Sequence, residues 1–164
     1  EEAHACLSEK EDRNTNGING QNFPLQCISV HSPNRSHQLF NNVAQLREVF
    51  PHDVWINQLD AQQMGIQKGD FVVVSSKSGS LVRRAKVTSL VMPGVVILGQ
   101  GAWSILDKNG LDRGGNANTL QSSELTGEGH CTWNTTLVRI DQWTGDPLDL
   151  DYHMSFDGEL EETL

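Results

Sequence analysis

The chain has 164 residues, enough for one domain with its own core. It carries 21 acidic and 12 basic residues for a net charge of −9, with five acids in residues 1–12 and eight in residues 141–164. Residues 13–140 hold 11 bases against 8 acids, too few and too scattered for a nucleic-acid stripe but compatible with a small anionic ligand. No apolar run approaches the roughly 18–20 residues of a membrane span, so direct membrane insertion is not expected. The first residue is Glu1 with no signal-peptide pattern after it, and the chain reads as a processed or excised piece of a larger protein.

Residues 1–22 are polar and rich in Asn and Gly, which predicts a linker or interdomain segment. The first strand is expected over Phe23–Val30, where apolar residues alternate. His31-Ser32-Pro33-Asn34-Arg35-Ser36-His37 follows at once. Two histidines flanking an arginine place donors and positive charge at a strand end, where sites are built; a plain loop would also contain Ser, Pro and Asn. Val43, Leu46, Val49 and Phe50 fall at helical spacing, with Leu46 and Phe50 as core candidates.

Val54-Trp55-Ile56 reads as a strand that turns through Asn57 into a short helix ended by Gly65, since glycine adopts left-handed dihedrals cheaply. Ile66-Gln67-Lys68-Gly69-Asp70 is a tight turn that launches the β-branched run Phe71-Val72-Val73-Val74. Ser75–Ser80 predicts a hairpin turn, and Leu81–Thr88 a strand with its bases toward water. Val95–Leu98 is a further apolar strand, ended by Gly99-Gln100-Gly101, whose glycines allow close approach of a chain segment or ligand. Residues 104–136 read as mostly loop, a length that points to function or disorder. Thr136–Ile140 is the last strand, followed by an acidic tail. About six strands with glycine turns and two short helices predict a small closed barrel rather than a doubly wound sheet.

Chemistry is notable for what is missing. There is no G-x-S-x-G, Asp-Thr-Gly, Asp-Ser-Gly or Walker loop, and Gly99-Gln100-Gly101 lacks the third glycine of a dinucleotide fingerprint. Cys6, Cys27 and Cys131 form no C-x-x-C, and His4-x-Cys6 and His130-Cys131 lack the spacing of a zinc site. The sequons at Asn34 and Asn134 carry no weight. The polar groups look like binding groups, not catalysts.

An ordered series of motifs then carries a resemblance. It comprises His31–His37 with Asn42-Val43, Trp55-Ile56-Asn57-Gln58-Leu59-Asp60-Ala61, Gly65–Asp70, Ala85-Lys86-Val87-Thr88, and Met92-Pro93-Gly94-Val95-Val96. Gly99-Gln100-Gly101-Ala102-Trp103, Gly114-Gly115-Asn116-Ala117-Asn118-Thr119-Leu120 and Thr136-Leu137-Val138 complete it. Over roughly residues 24–140 the chain resembles the C-terminal cofactor-binding domain of molybdopterin oxidoreductases of the dimethyl sulfoxide reductase family. Each motif is weak alone, but the ordered set is specific.

The resemblance implies a mainly β, double-psi β-barrel over residues 23–140, with residues 141–164 as the acidic tail. It implies binding of a molybdenum bis(molybdopterin guanine dinucleotide) cofactor shared with upstream domains of a parent reductase. Asp60, beside Asn57, is implied as the guanine reader, because a carboxylate accepts from guanine N1–H and N2–H₂ together; taken without the resemblance, it reads first as a helix N-terminal Asp favouring the dipole. Arg35, with His31, Ser36 and His37, matches the segment that contacts pterin and pyrophosphate, where a planar guanidinium suits phosphate. Asn116 and Asn118 match an amide-bearing loop near a pterin, and Asn134 is a further candidate; turn formation is the other reading of these asparagines. Gln38, Gln58 and Gln121 depart from the family pattern but keep hydrogen-bonding capacity. The molybdenum ligand, iron–sulfur and membrane-anchor partner subunits, and a periplasmic, membrane-associated location belong to the expected parent. The other reading is a stand-alone double-psi barrel acting as a protein-recognition module.

Overall fold

The computed structural model describes residues 23–122, 128–129 and 133–145. The expected linker, nearly all of the acidic tail, and His4, Cys6, His130 and Cys131 lie outside these residues. Six strands close into a barrel: β1 (Leu25–Val30), β2 (Val54–Asn57), β3 (Phe71–Ser75), β4 (Ser80–Thr88), β5 (Val95–Gly99) and β6 (Leu137–Gln142). Around the barrel they run β1-β5-β2-β4-β3-β6. The pairs β1–β5 and β2–β4 are parallel, and the other four are antiparallel. This is the mainly β, double-psi barrel that the motifs implied, and closure leaves no unpaired strand edge.

Alternation supplies the core. Val72 and Val74 of β3, Val96 and Leu98 of β5, and Val138 and Ile140 of β6 point inward and are buried, with half-buried or exposed neighbours between them. Leu25, Cys27, Val54, Ile56, Leu81 and Ala85 complete the interior. On the outside, Lys86 Nζ lies 3.7 Å from the centre of the Trp55 ring, its partner across the β2–β4 pair.

The Gly69-Asp70 turn is pinned to the barrel. Gly69 N–H donates to the Ala85 carbonyl, and the Ala85 N–H returns to the Asp70 carbonyl at 2.7 Å. Asp70 Oδ2 accepts from Gln67 N–H at 2.8 Å, closing the turn.

Two expectations are corrected. Helix α1 (Ala44–Val49) does not bury the predicted face: Phe50 is 47% exposed and Leu46 half-buried, while Arg47 is 7% exposed. Leu39, Phe40 and Val49 are exposed as well. The helical periodicity was real, but its apolar stripe is only half-buried at Val43 and Leu46 and exposed at Val49 and Phe50. In β4, Arg83 does not face water; it is 5% exposed and its Nη2 donates to the Arg113 carbonyl. Arg83 shares the inward face of β4 with Leu81 and Ala85, directly opposite Val72, and the segment after β5 closes over it: Val82 N–H donates to the Asp112 carbonyl, Asp112 N–H donates to the Ser80 carbonyl, and Gly115 packs against the Arg83 side chain.

Candidate functional site

Parallel pairing of β1 and β5 brings their C-terminal ends together, and the segments leaving them build a cleft of about 490 Å³. Its walls are Ser36, His37, Gln38 and Leu39 after β1, Gln100 and Gly101 after β5, and Asn116, Ala117, Asn118 and Gln121 on and beside a single 3-10 turn (Ala117–Leu120). Trp133 completes the lining. Of the residues singled out in the sequence, the fold thus unites Ser36, His37, Asn116 and Asn118, which lie about 80 positions apart in the chain. Five amide side chains line the cleft, each offering a donor and an acceptor.

Two backbone devices make the cleft. Gly101 has φ +95°, and a side chain there would run into the His37 carbonyl, so glycine admits the post-β1 segment against the post-β5 segment. His37 itself holds φ +53° and Phe40 φ +70°, uncommon for residues with side chains. The His37 ring meets the His31 ring edge-on at 4.9 Å.

The loop bearing Asn116 and Asn118 is organised by Asp112, a carboxylate with 0% exposure. Its Oδ1 accepts from the N–H groups of Ile105 (2.9 Å), Gly114 (2.8 Å) and Gly115 (3.2 Å). Its Oδ2 accepts from Asn116 N–H (2.9 Å) and the Thr119 hydroxyl (2.7 Å). Asn116 Oδ1 then caps the 3-10 turn by accepting from Asn118 N–H at 3.0 Å.

Arg35 and His31 do not line the cleft but back residues that do. Arg35 Nη1 donates to His52 Nδ1 at 3.0 Å, and His52 Nε2 lies 2.9 Å from the Gly115 carbonyl. His52 and Asp112 were not recognised in the sequence. The Asp-x-Gly-Gly-Asn string was a usable signal for Asp112, since Asp before glycines nucleates side chain-to-backbone turns. His52, between Pro51 and Asp53, gave none.

Asn57 and Asp60 lie elsewhere. Because β2 runs antiparallel to β5, the end of β2 sits beside the start of β5, at the opposite end of the barrel from the cleft. Asn57 caps helix α2 (Gln58–Met64): its Oδ1 accepts from Leu59 N–H at 2.7 Å, and its Nδ2 donates to the Val91 carbonyl at 2.6 Å. Asp60, half-buried in the first turn, accepts from Gly94 N–H at 2.7 Å through Oδ2. Beside it, Leu59 and, on the turn these bonds grip, Leu90 and Met92 are exposed. Asn134 braces β1: its Oδ1 accepts from Ser29 N–H at 3.1 Å and its carbonyl from Gln26 Nε2 at 2.7 Å.

Among the described residues no group of three or more His, Cys, Asp or Glu could hold a metal, and no helix is long and apolar enough to cross a membrane. The buried Cys27 thiol is pushed up to about 12 by loss of solvation.

The Molydopterin dinucleotide binding domain family matches residues 25–132. A probable dimethyl sulfoxide reductase chain, YnfF, of Escherichia coli is 42% identical over 102 residues, 61% of this chain and 13% of its own. The E. coli dimethyl sulfoxide reductase DmsA is 38% identical over 122 residues (73% and 15%). A trimethylamine-N-oxide reductase of Salmonella typhi is 34% identical over 158 residues (90% and 18%). The chain therefore spans less than a fifth of the length of these three relatives. Among solved structures, acetylene hydratase from Pelobacter acetylenicus shares the fold at a TM-score of 0.64 with 16% identity, over 74% of this chain and 18% of that one. With a barrel of this topology and a family match over more than half its residues, the chain belongs to the molydopterin dinucleotide binding domain family, within the dimethyl sulfoxide reductase group that its motifs indicated.

Proposed function

We propose that the chain holds the guanine dinucleotide form of molybdopterin for a larger molybdenum oxidoreductase that reduces an S-oxide or N-oxide. The observation that carries this reading is the cleft, where Ser36, His37, Asn116 and Asn118 converge among further amide side chains. A pterin's pyrimidine edge mixes donors and acceptors, and paired amides satisfy both. Arg35, tied through His52 to the loop that carries Asn116, supplies the positive charge that a pyrophosphate requires.

Asp60 is the guanine reader in this proposal. Its carboxylate is oriented by the Gly94 N–H, and exposed Leu59, Leu90 and Met92 offer apolar surface for the faces of a base. By analogy with base-edge pairs, the contact supplies about 1–3 kcal/mol of base discrimination. Asn57, with both ends of its amide bonded inside the fold, orients the helix that carries Asp60; Asn134 and His31 brace the opposite end. The strand β5 separates the two ends by five residues, roughly 17 Å at strand rise, and so suits a ligand with two unlike flat heads joined by a linker.

When bound, the metal supplies two-electron oxygen-atom transfer, while this chain's residues bind and orient the organic part. A second dinucleotide, the upstream domains, iron–sulfur and membrane-anchor subunits, and a periplasmic location complete the proposed parent. Within the chain, residues 1–22 and the tail flank a barrel that β6 extends to Gln142.

The exposed Leu39, Phe40, Val49 and Phe50 favour one competing reading, a protein-recognition module. Titrating GMP into the isotopically labelled chain separates the two. Cofactor binding predicts amide shifts at 57–61 and 91–94 that AMP does not reproduce and Asp60→Ala abolishes. Shifts confined elsewhere, or an equal response to AMP, would remove Asp60 from the site. In a reconstituted parent, Asp60→Ala should lower retained cofactor.

A further inference from the structure

We propose that His52 is a positioning residue for the cofactor cleft, a single-tautomer bridge that fixes the Arg35 segment against the loop presenting Asn116 and Asn118. The inference rests on the cleft being the pterin site, but the bridge itself follows from hydrogen-bond chemistry. A guanidinium can only donate, so the 3.0 Å contact with Arg35 Nη1 requires a lone pair on His52 Nδ1. A neutral ring unprotonated at Nδ1 carries its hydrogen on Nε2. That hydrogen points to the Gly115 carbonyl, which can only accept, at 2.9 Å. The other tautomer would set N–H against N–H on one side and lone pair against carbonyl on the other. Each bond therefore enforces the other.

The surroundings hold the ring in place. His52 is 6% exposed, and Gly99, at the end of β5, comes close enough that a Cβ there would lie 3.5 Å from the ring. Three segments that are distant in sequence meet on one imidazole: the post-β1 loop through Arg35, the end of β5 through Gly99, and the glycine loop through Gly115. Asp112 shapes the glycine loop from within, whereas His52 sets where that loop stands relative to Arg35. A side chain that only filled space would need the ring, not its two nitrogens.

That difference defines the test, made on the 164-residue chain. Long-range nitrogen–proton correlation should show His52 Nδ1 unprotonated and Nε2 protonated. His52→Phe keeps a ring and removes both bonds, whereas His52→Gln keeps one acceptor and one donor. In His52→Phe the Arg35 Nε resonance and the amides of 114–118 should move, and affinity for pterin-6-carboxylate should fall about tenfold. In His52→Gln both should return most of the way to wild type. A protonated Nδ1, or unchanged Arg35 and 114–118 resonances in His52→Phe, would overturn the proposal. If His52→Phe does not fold, the tautomer and the His52→Gln spectrum decide. If wild type binds no pterin while the ring and Arg35 behave as expected, the assignment of the cleft fails and the bridge stands.

Discussion

Replacing Asp112 with asparagine should destabilise the chain by about 2–4 kcal/mol although the side chain keeps its size and shape. The carboxylate accepts five hydrogen bonds in a site closed to solvent, three on Oδ1 and two on Oδ2. An amide has one oxygen, and its best placement keeps that oxygen on the Oδ1 side, facing Ile105, Gly114 and Gly115. The NH₂ then faces Asn116 N–H and the Thr119 hydroxyl. The hydroxyl can rotate and accept, but the Asn116 N–H cannot, so one buried donor meets another donor at a cost of about 1–3 kcal/mol. The three surviving bonds also lose their charge-assisted strength, which is offset in part because a neutral group is cheaper to bury. Urea unfolding measures the total, and amide exchange at Asn116, accelerated more than at Gly114, locates it. Thr119→Val alone should cost only about 1 kcal/mol. A change below about 0.5 kcal/mol in Asp112→Asn, or unaltered protection at Asn116, would refute the placement of these five bonds.

Three further outcomes follow from the geometry. Asn57→Ala removes the α2 cap and leaves the Val91 carbonyl without its amide donor, and should cost about 1–2 kcal/mol by denaturant titration, with shifts at 91–94. Gly65→Ala, at φ +69° in open space, should cost only about 1 kcal/mol, whereas Gly101→Ala should cost more and displace the His37 segment, as amide shifts at 35–38 would show. Cys27 makes stability fall at alkaline pH: its thiol ionises near 9 when unfolded and near 12 when folded, so its contribution is intact below pH 9 and lost as pH rises toward 12. The loss relative to Cys27→Ala should approach about 4 kcal/mol, read as an earlier alkaline unfolding transition in wild type.

Local chemistry was legible in the sequence and long-range chemistry was not. Asn57 as the strand-to-helix turn, Gly65 as the helix end, and the Gly69-Asp70 turn depend on neighbours within a few residues, and the structure carries all of them; that the Asn57 side chain caps the helix came from the structure. The strands were visible through β-branched runs between turn residues. Arg83 misled because a base in a strand is assumed to face water, whereas here it alternates with Leu81 and Ala85 on the inward face and meets the Arg113 carbonyl of the post-β5 segment, a partner 30 positions away. Phe50 misled for the converse reason: periodicity shows that a helix has an apolar face, not which way that face points. His52 reaches partners 17 and 63 positions away, and no local pattern encodes such a bridge. Family motifs brought Asn116 and Asn118 forward, but not the buried carboxylate that presents them.

The mixed strand pairing explains why one small barrel can carry two different surfaces. Parallel β1 and β5 both end at the cleft, and parallel β2 and β4 both end at Asp60's side, because β2 opposes β5. Segments leaving the first pair are rich in amides and close to Arg35 and His52; those leaving the second carry one oriented carboxylate among exposed apolar side chains. An all-antiparallel meander would alternate strand ends and mix these segments at each rim. Closure then keeps the ends at a fixed distance, since every strand is bonded on both sides and no edge can slip. In the proposed reading, recognition of a long ligand with unlike heads depends on that fixed spacing as much as on any single contact, and buried Asn57, Asp112 and His52 hold the segments at the two ends.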